Sequence, residues 1–207
     1  MNPWFVAILA YTGLGVLTFV PILRAIFGKV EMHDGGSSFD DATVFSEGAR
    51  GRLSQHFSRI QGTLGFWKKQ ATIYKRLHYY TLCWTIPSSV VIPFLAQAMT
   101  DDPYSKWLIT VVSAHTAILL AFHKALKVDS NYKAFRHGES EFYDLYRRML
   151  DRPNTLGATE TEQLECYFDS IENVRKFIRN AETDNLPTIE QAKSQLADEV
   201  PKIDNQP

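Results

Sequence analysis

The sequence predicts an all-α membrane protein with three transmembrane helices, of which the last two form a long antiparallel hairpin that extends into a cytoplasmic helical bundle. Three long windows that contain no charged residue indicate the spans. Apolar residues at alternating spacings of three and four indicate the bundle, because they continue from two of these windows into charged sequence. No stretch shows the alternation of a strand, and no segment repeats.

The first predicted span is WFVAILAYTGLGVLTFVPIL, residues 4–23, and no basic residue precedes it. A helix of this length covers the hydrocarbon core of a bilayer. A cleaved signal peptide would have basic residues before a shorter apolar run, whereas here the basic residues come after it. We therefore expect a retained anchor over residues 1–28.

The second span is expected at the end of one long helix. Residues 29–52 are rich in Gly, Ser and Asp without a sustained period, which predicts a flexible cytoplasmic connector. From Leu53 an apolar seam with heptad spacing runs into the next uncharged window, so a single helix is expected from about Gly51 to Met99, with its span at residues 79–100.

Two prolines lie inside this span, Pro87 and Pro93. Each removes a backbone hydrogen bond, so we expect a kink in the membrane half of the helix. Ser88 and Ser89 are expected to bond to the carbonyls that the prolines leave free.

The third span, residues 107–123, follows the N-cap residue Asp102 and the first-turn residue Pro103. Its helix is expected to continue into the cytoplasm as far as Met149, until the run RPNTLG breaks it. Residues 53–151 thus make up the predicted hairpin, in which hydrophobic burial holds the two helices together.

Cytoplasmic helices and a frayed tail are expected over residues 152–207. Thr159 and Glu162 form a capping box before a helix with one apolar face, which should pack on the two long helices. Thr188 with Gln191 predicts one further short turn after Pro187.

Lysine and arginine set the expected orientation. The segment between the first two windows carries eight of them, from Lys29 to Arg76, whereas the loop between the second and third carries Lys106 alone. The positive-inside rule therefore places the N-terminus outside and the C-terminus in the cytoplasm. Aromatic residues agree with this orientation, with Trp4, Tyr104 and Trp107 at the outer interface and Tyr79, Tyr80 and Phe122 at the inner one.

Enzyme and metal signatures are missing from the sequence. It contains no Gly-rich phosphate loop, paired-Cys zinc pattern, nucleophile elbow or His-Glu-x-x-His run, and its six histidines form no i, i+4 pair. We expect a protein that is not an enzyme, takes no cofactor or metal, and has no nucleic acid polymer as partner.

His115 lies in the middle of the third window, where a titratable group must face protein or water and not lipid. One interpretation is a hydrogen bond to a neighbouring helix, for example to Ser88 or Ser89. The other makes His115 part of an aqueous path formed by several subunits. The candidate pore or gating residues are Pro87, Ser88, Ser89, Pro93, Ser113, His115 and Thr116.

Basic residues near the inner leaflet have two interpretations. They determine topology and touch anionic head groups, or they bind a nucleotide or phosphate ligand together with arginines of the later helices. These candidates are Lys68, Lys69, Lys75, Arg76, Arg136, Arg147 and Arg148.

The run FRHGESEFYDLYRRMLDRP, residues 135–153, follows a span and precedes DSIENVRKFIRNAETDNLPTI, residues 169–189. In this order of features the chain resembles the SLATT superfamily over roughly residues 53–190. His137 directly precedes the glycine of the family pattern instead of being spaced from it, and the N-terminal span is a second departure. The positions that fit the pattern are Gly138, Tyr143, Leu145, Arg147, Arg148 and Pro187.

The resemblance implies a membrane effector of bacterial conflict systems that oligomerises, acts downstream of enzymes making nucleotide signals, and perforates or depolarises the inner membrane. We therefore expect a multi-pass homo-oligomer in the bacterial inner membrane that permeabilises the bilayer on a cytoplasmic signal, either a nucleotide second messenger or a soluble partner. Two alternatives stay open, a non-conducting scaffold whose bundle recruits a soluble partner and a ligand-gated sensor.

Overall fold

The computed structural model of the protein describes residues 2–29 and 38–185. Over this part of the chain the structure is helical without any strand, which confirms the predicted class. The helices are α1 Pro3–Phe27, α2 Glu47–Gln97, α3 Pro103–Ala125, α4 Val128–Asp151 and α5 Glu160–Asn185, with short 3₁₀ turns at Phe39–Asp41 and Pro153–Thr155. The predicted turn at Thr188 and the predicted frayed tail lie outside the described residues.

Three of these helices, α1, α2 and α3, are long and apolar enough to cross a membrane, as the uncharged windows predicted. The chain forms two compact units. The span unit contains α1, the part of α2 from Ile73 onward, and α3. Among the described residues, the amphipathic unit contains residues 38–72, which include the first part of α2, and residues 130–184, which include most of α4 and α5.

One end of the span unit is formed by the start of α1 and the turn between α2 and α3. Asp102 caps α3 by accepting a hydrogen bond from the backbone N–H of Tyr104 at 2.9 Å, and Pro103 occupies the first turn, as predicted. The side chain of Asn2 also donates to Asp102. The rings of Phe5 and Tyr104 meet edge to face with their centroids 5.5 Å apart.

Helix α2 continues through both of its prolines, and its bounds confirm the single long helix that the seam predicted. The expected role of the serines is wrong, because the hydroxyl of Ser89 donates to the carbonyl of Ile86 at 2.7 Å. A serine hydroxyl reaches carbonyls three or four residues earlier in its helix. Pro87 has no N–H to donate to the carbonyl of Cys83, and this carbonyl lies more than four residues before Ser88 and Ser89.

The core of the amphipathic unit is built from the apolar stripes of α2, α4 and α5. Aromatic contacts of Phe57 with Phe142 and of Phe66 with Phe135 join α2 to α4. Burial of each large apolar side chain contributes about 1.5–3 kcal/mol. The side chains with almost no exposed surface are Leu53, Leu64, Phe142, Met149, Tyr167, Ile171 and Ile178.

The described part of the predicted flexible connector, residues 38–52, is helical at residues 39–41 and from residue 47 onward. Ser38 and Asp41 form a capping box around the first 3₁₀ turn, and α2 begins at Glu47, ahead of the expected start near Gly51. The side chains of Phe39 and Phe45 are 2% and 4% exposed. Composition predicted a loop here because Gly, Ser and Asp dominate it, but two phenylalanines are enough to fix the segment on the core.

The continuous helix expected from the third span to Met149 is also wrong. Helix α3 ends at Ala125 and α4 begins at Val128, with Lys127 between them at φ 42°. A left-handed non-glycine residue costs about 1–2 kcal/mol. The break comes directly before Val128, the first residue of α4, whose side chain is fully buried. No Gly or Pro marks the break in the sequence.

Capping of α5 follows the sequence prediction. The hydroxyl of Thr159 accepts from the backbone N–H of Glu162 at 3.3 Å, and the Glu162 carboxylate accepts from the backbone N–H of Thr159 at 3.2 Å. Both halves of the capping box are therefore present.

Candidate functional site

A polar cluster joins the three helices of the span unit. His115 of α3 is hydrogen-bonded through Nδ1 to the hydroxyl of Tyr11 on α1 at 2.8 Å, and through Nε2 to the hydroxyl of Tyr80 on α2 at 3.4 Å. The Tyr80 hydroxyl donates to the backbone carbonyl of Gly15 at 3.2 Å. Because that proton is used, Tyr80 accepts from Nε2–H. A neutral imidazole at this position therefore carries its proton on Nε2, and its Nδ1 accepts from Tyr11.

Trp84 extends the cluster along α2. Its indole N–H donates to the hydroxyl of Thr18 at 3.0 Å, and that hydroxyl donates to the carbonyl of Leu14 at 2.8 Å within α1. The Trp84 ring meets the rings of Tyr11 and His115 edge to face, at centroid distances of 4.9 Å and 5.3 Å. Each polar atom of the cluster described here thus has a partner inside the protein.

Two mostly apolar grooves flank the cluster, and Tyr11 lines both of them. One groove has a volume of about 520 Å³ and is lined by Tyr11, Trp84, Pro87, Ser88, Leu108 and Val112 among others. The other has a volume of about 310 Å³ and includes Tyr11, Gly15, Phe19, Tyr80 and His115. A displacement of Tyr11 would therefore change both grooves at once.

The structure brings only some of the predicted pore residues together. Pro87 and Ser88 line the larger groove and His115 lines the smaller one. The other four are apart from the cluster's hydrogen bonds, since Thr116 donates to the carbonyl of Val112 in its own helix at 2.9 Å and Ser89 to that of Ile86. Ser113 is half-buried and Pro93 is exposed. His115 does bond to neighbouring helices, but through two tyrosines and not through Ser88 or Ser89.

At the other end of the span unit, α2 contacts the ends of α1 and α3. The guanidinium of Arg76 donates to the carbonyl of Pro21 at 2.5 Å, and Nδ1 of His78 lies 3.0 Å from Nε2 of His123. Tyr79 is 55% exposed, in keeping with an interfacial position. The hydroxyl of the neighbouring Tyr80 faces the polar cluster.

The predicted phosphate-binding residues are divided between the two units. Lys68, Lys69, Arg136, Arg147 and Arg148 belong to the amphipathic unit, and Lys75 and Arg76 to the span unit. Arg136 forms an ion pair with Glu139 at 2.7 Å, and Arg147 and Arg148 are exposed on α4.

Sequence reasoning missed Tyr11, Tyr80 and Trp84 as partners of His115, and Thr18 as the partner of Trp84. A usable signal exists, because Tyr80 and Trp84 are four residues apart and Tyr11 and Thr18 seven apart, so each pair lies on one helical face. Polar and aromatic residues repeated on one face of an uncharged window indicate an interhelical contact.

Gly138, one of the positions that carry the SLATT resemblance, lies where α4 comes closest to the other helices of its unit. A Cβ atom placed there would be 1.9 Å from Cδ1 of Ile178 on α5 and 3.8 Å from Cε3 of Trp67 on α2. The glycine thus allows close packing in the core.

One family model matches the chain, over residues 64–139, and its description is "Protein of unknown function (DUF4231)". The matched part includes the second half of α2, all of α3 and the first half of α4. It contains Tyr80, Trp84, His115 and Gly138, and lacks α1 and α5. Neither a curated protein nor a solved structure matches the chain.

Proposed function

We propose that the protein is an oligomeric effector of the bacterial inner membrane that permeabilises the bilayer in response to a cytoplasmic signal. The His115 cluster carries this proposal. An ionisable side chain in the middle of a span is costly in lipid and is by default a functional candidate. The SLATT resemblance adds to the proposal and supplies the defence context.

The hydrogen bonds of the cluster define the closed arrangement. Tyr11, Tyr80 and His115 satisfy one another within a single copy, so no water is needed among them. Moving α1 away from α3 would break the bond between Tyr11 and His115 and leave Nδ1 of His115 to be satisfied by water. In the proposed open state the two flanking grooves join at the position that Tyr11 occupies.

Helix α2 is the element through which we expect the cytoplasmic signal to act on the membrane spans. It is one helix of 51 residues, and its first part packs in the amphipathic unit while its last part carries Tyr80 and Trp84. We assign the amphipathic unit to the cytoplasm from the positive-inside rule, with the N-terminus outside. The long antiparallel hairpin, extended into a cytoplasmic bundle, then transmits a change at the bundle to the membrane.

Membrane potential tests this proposal. Expression in a bacterial host should depolarise the cells, as measured with a potential-sensitive dye. His115→Phe removes both hydrogen bonds and retains an aromatic ring, so it should destabilise the closed arrangement and depolarise cells at a lower protein level. Ser89→Ala is the matched control, because that hydroxyl bonds only within α2. The proposal would be overturned if neither the wild-type protein nor His115→Phe changed the membrane potential while an immunoblot showed both in the membrane.

A non-conducting scaffold is the second candidate, and one observation favours it. The polar atoms of the cluster are paired within one copy, which is the arrangement expected of a static helix contact. The scaffold proposal predicts no current from the purified protein in planar bilayers, together with retention of a soluble partner in detergent. Measurable single-channel current would exclude it.

A further inference from the structure

A basic face on the amphipathic unit is formed by α2 and α5. Arg52, His56 and Arg59 are spaced four and three apart, so they project from one side of α2. Phe168 and Arg175 are seven apart on α5 and share a side of that helix in the same way. The rings of His56 and Phe168 are 4.8 Å apart, which places the two sides against each other.

The three arginines of this face have no ion pair among the described residues. Arg52 lies with Cζ 5.7 Å from the centroid of the Phe168 ring, a cation–π contact that leaves its N–H groups free to point outward. On the same side of α5, Glu172 lies between Phe168 and Arg175 and is bonded to Lys176 at 2.8 Å. This bond first, and then the charges of Lys176, Arg175 and Arg179, lower the pKa of Glu172. Three arginines against one carboxylate leave the face with an excess of positive charge.

His56 adds an oriented donor to these charges. Its Nδ1 atom is buried and has no hydrogen-bond partner in the described part of the protein, although the residue as a whole is only half-buried. A buried N–H without an acceptor is costlier than an unpaired lone pair, so the favoured tautomer carries its proton on Nε2. Burial first, and then the charges of Arg175 and Arg59, lower the pKa of His56. Arg59 and Arg175 are thus both close enough to act on the ring.

We propose that this face binds a phosphomonoester, with Arg59 and Arg175 holding the phosphate oxygens from two helices and the Nε2–H of His56 donating to a third. A phosphomonoester matches the face because it carries a charge near −2 at neutral pH and three acceptor oxygens. Planar guanidinium groups bind such oxygens in pairs, which a single lysine cannot do. Arg52 lies one helical turn away and is positioned to bind a further part of the ligand. Only the ligand's role as the activating signal rests on the proposed function, and the binding site itself does not.

Binding is measured on the full chain in detergent by isothermal titration calorimetry, with AMP and inorganic phosphate as probes and adenosine as the probe without phosphate. AMP and phosphate should bind saturably and adenosine should not. Arg59→Gln and Arg175→Gln should each weaken AMP binding about tenfold to a hundredfold, because each removes charged hydrogen bonds. Arg59→Lys, which keeps the charge and loses the paired geometry, should give an intermediate loss.

Arg152→Gln is the matched control, since it removes one exposed charge from the same unit. It should change AMP affinity less than about twofold, as expected for screened surface charges at a distance. Nuclear magnetic resonance should show the His56 pKa rising when phosphate binds, because the anion opposes the two arginines. Equal losses in this control and in Arg59→Gln, or an unchanged His56 signal, would overturn the proposal.

A second experiment distinguishes a soluble phosphomonoester from a lipid head group. In nanodiscs of phosphatidylcholine, added phosphatidic acid should leave AMP affinity unchanged if the ligand is soluble, and should compete if the ligand is a lipid head group. Both results support the site. Absence of saturable AMP and phosphate binding in every format would overturn it and would leave the depolarisation test of the proposed function unaffected.

Discussion

Replacing Gly138 with alanine tests the packing of the amphipathic unit at its closest point. The added Cβ would lie 1.9 Å from Cδ1 and 2.6 Å from Cγ1 of Ile178, and the side chain of Ile178 is 2% exposed. Ile178 therefore has to change rotamer or move, and it has little free space in which to do so.

Two opposing contributions set the size of the effect. Alanine in place of glycine inside a helix gains about 1 kcal/mol of helix propensity. Overpacking a core typically costs about 1–3 kcal/mol. We expect a net loss of up to about 2 kcal/mol for Gly138→Ala, measured as a lower unfolding temperature of the full chain in detergent.

Gly62→Ala provides the matched control, because Gly62 lies in α2 and its added Cβ would meet no atom within 4 Å. This substitution should stabilise the protein by about 1 kcal/mol. Combining Gly138→Ala with Ile178→Val, which removes Cδ1, should recover part of the loss. An equal gain of stability from both alanine substitutions would show that the described approach of α4 to α5 is incorrect.

Three further predictions concern single side chains. Tyr167→Phe removes a buried hydroxyl that has no partner among the described residues, so thermal unfolding should show a gain of about 1–3 kcal/mol, and a loss would contradict the described burial. Hydrogen bonds from the backbone and side chain of Ser46 lower the pKa of Glu160 below its usual 4.5, so its contribution to stability is present above that pH and is lost as pH falls through the lowered value. Glu160→Gln should flatten the acid side of the stability profile, and an unchanged profile would exclude this bond. Lys127→Gly should leave the unfolding temperature unchanged or raise it, because glycine adopts a φ of 42° without strain. If α3 and α4 were one continuous helix, the same substitution would lower the stability by about 1 kcal/mol.

Periodic and capping signals predicted most helix bounds correctly, because they depend on neighbouring residues. The seam from Leu53 determined α2, and Asp102 with Pro103 determined the start of α3. The break at Lys127 could not be predicted, since no local residue favours a left-handed backbone there. Likewise, order at Phe39 depends on its contact with Tyr146, which is distant in sequence.

The candidate site was predicted only in part for the same reason. The position of His115 in an uncharged window identified it as important, but its partners lie on helices whose rotation about their axes the sequence does not specify. Tyr80 was assigned to the interface because tyrosine is common there, yet its hydroxyl reaches His115 and Gly15. The basic face of α2 and α5 depends on the packing of His56 on Phe168, which no spacing rule indicates.

The most direct test of the account is the side of the membrane on which each unit lies. Cys166, which is exposed on α5, should react with a large impermeant polyethylene glycol maleimide only after spheroplasts are permeabilised. Asp101→Cys, in a background with Cys83→Ser and Cys166→Ser, should react in intact spheroplasts. Labelling of Cys166 in intact spheroplasts, or recovery of the chain in the soluble fraction after carbonate extraction, would contradict three lipid-embedded helices joined to a cytoplasmic unit.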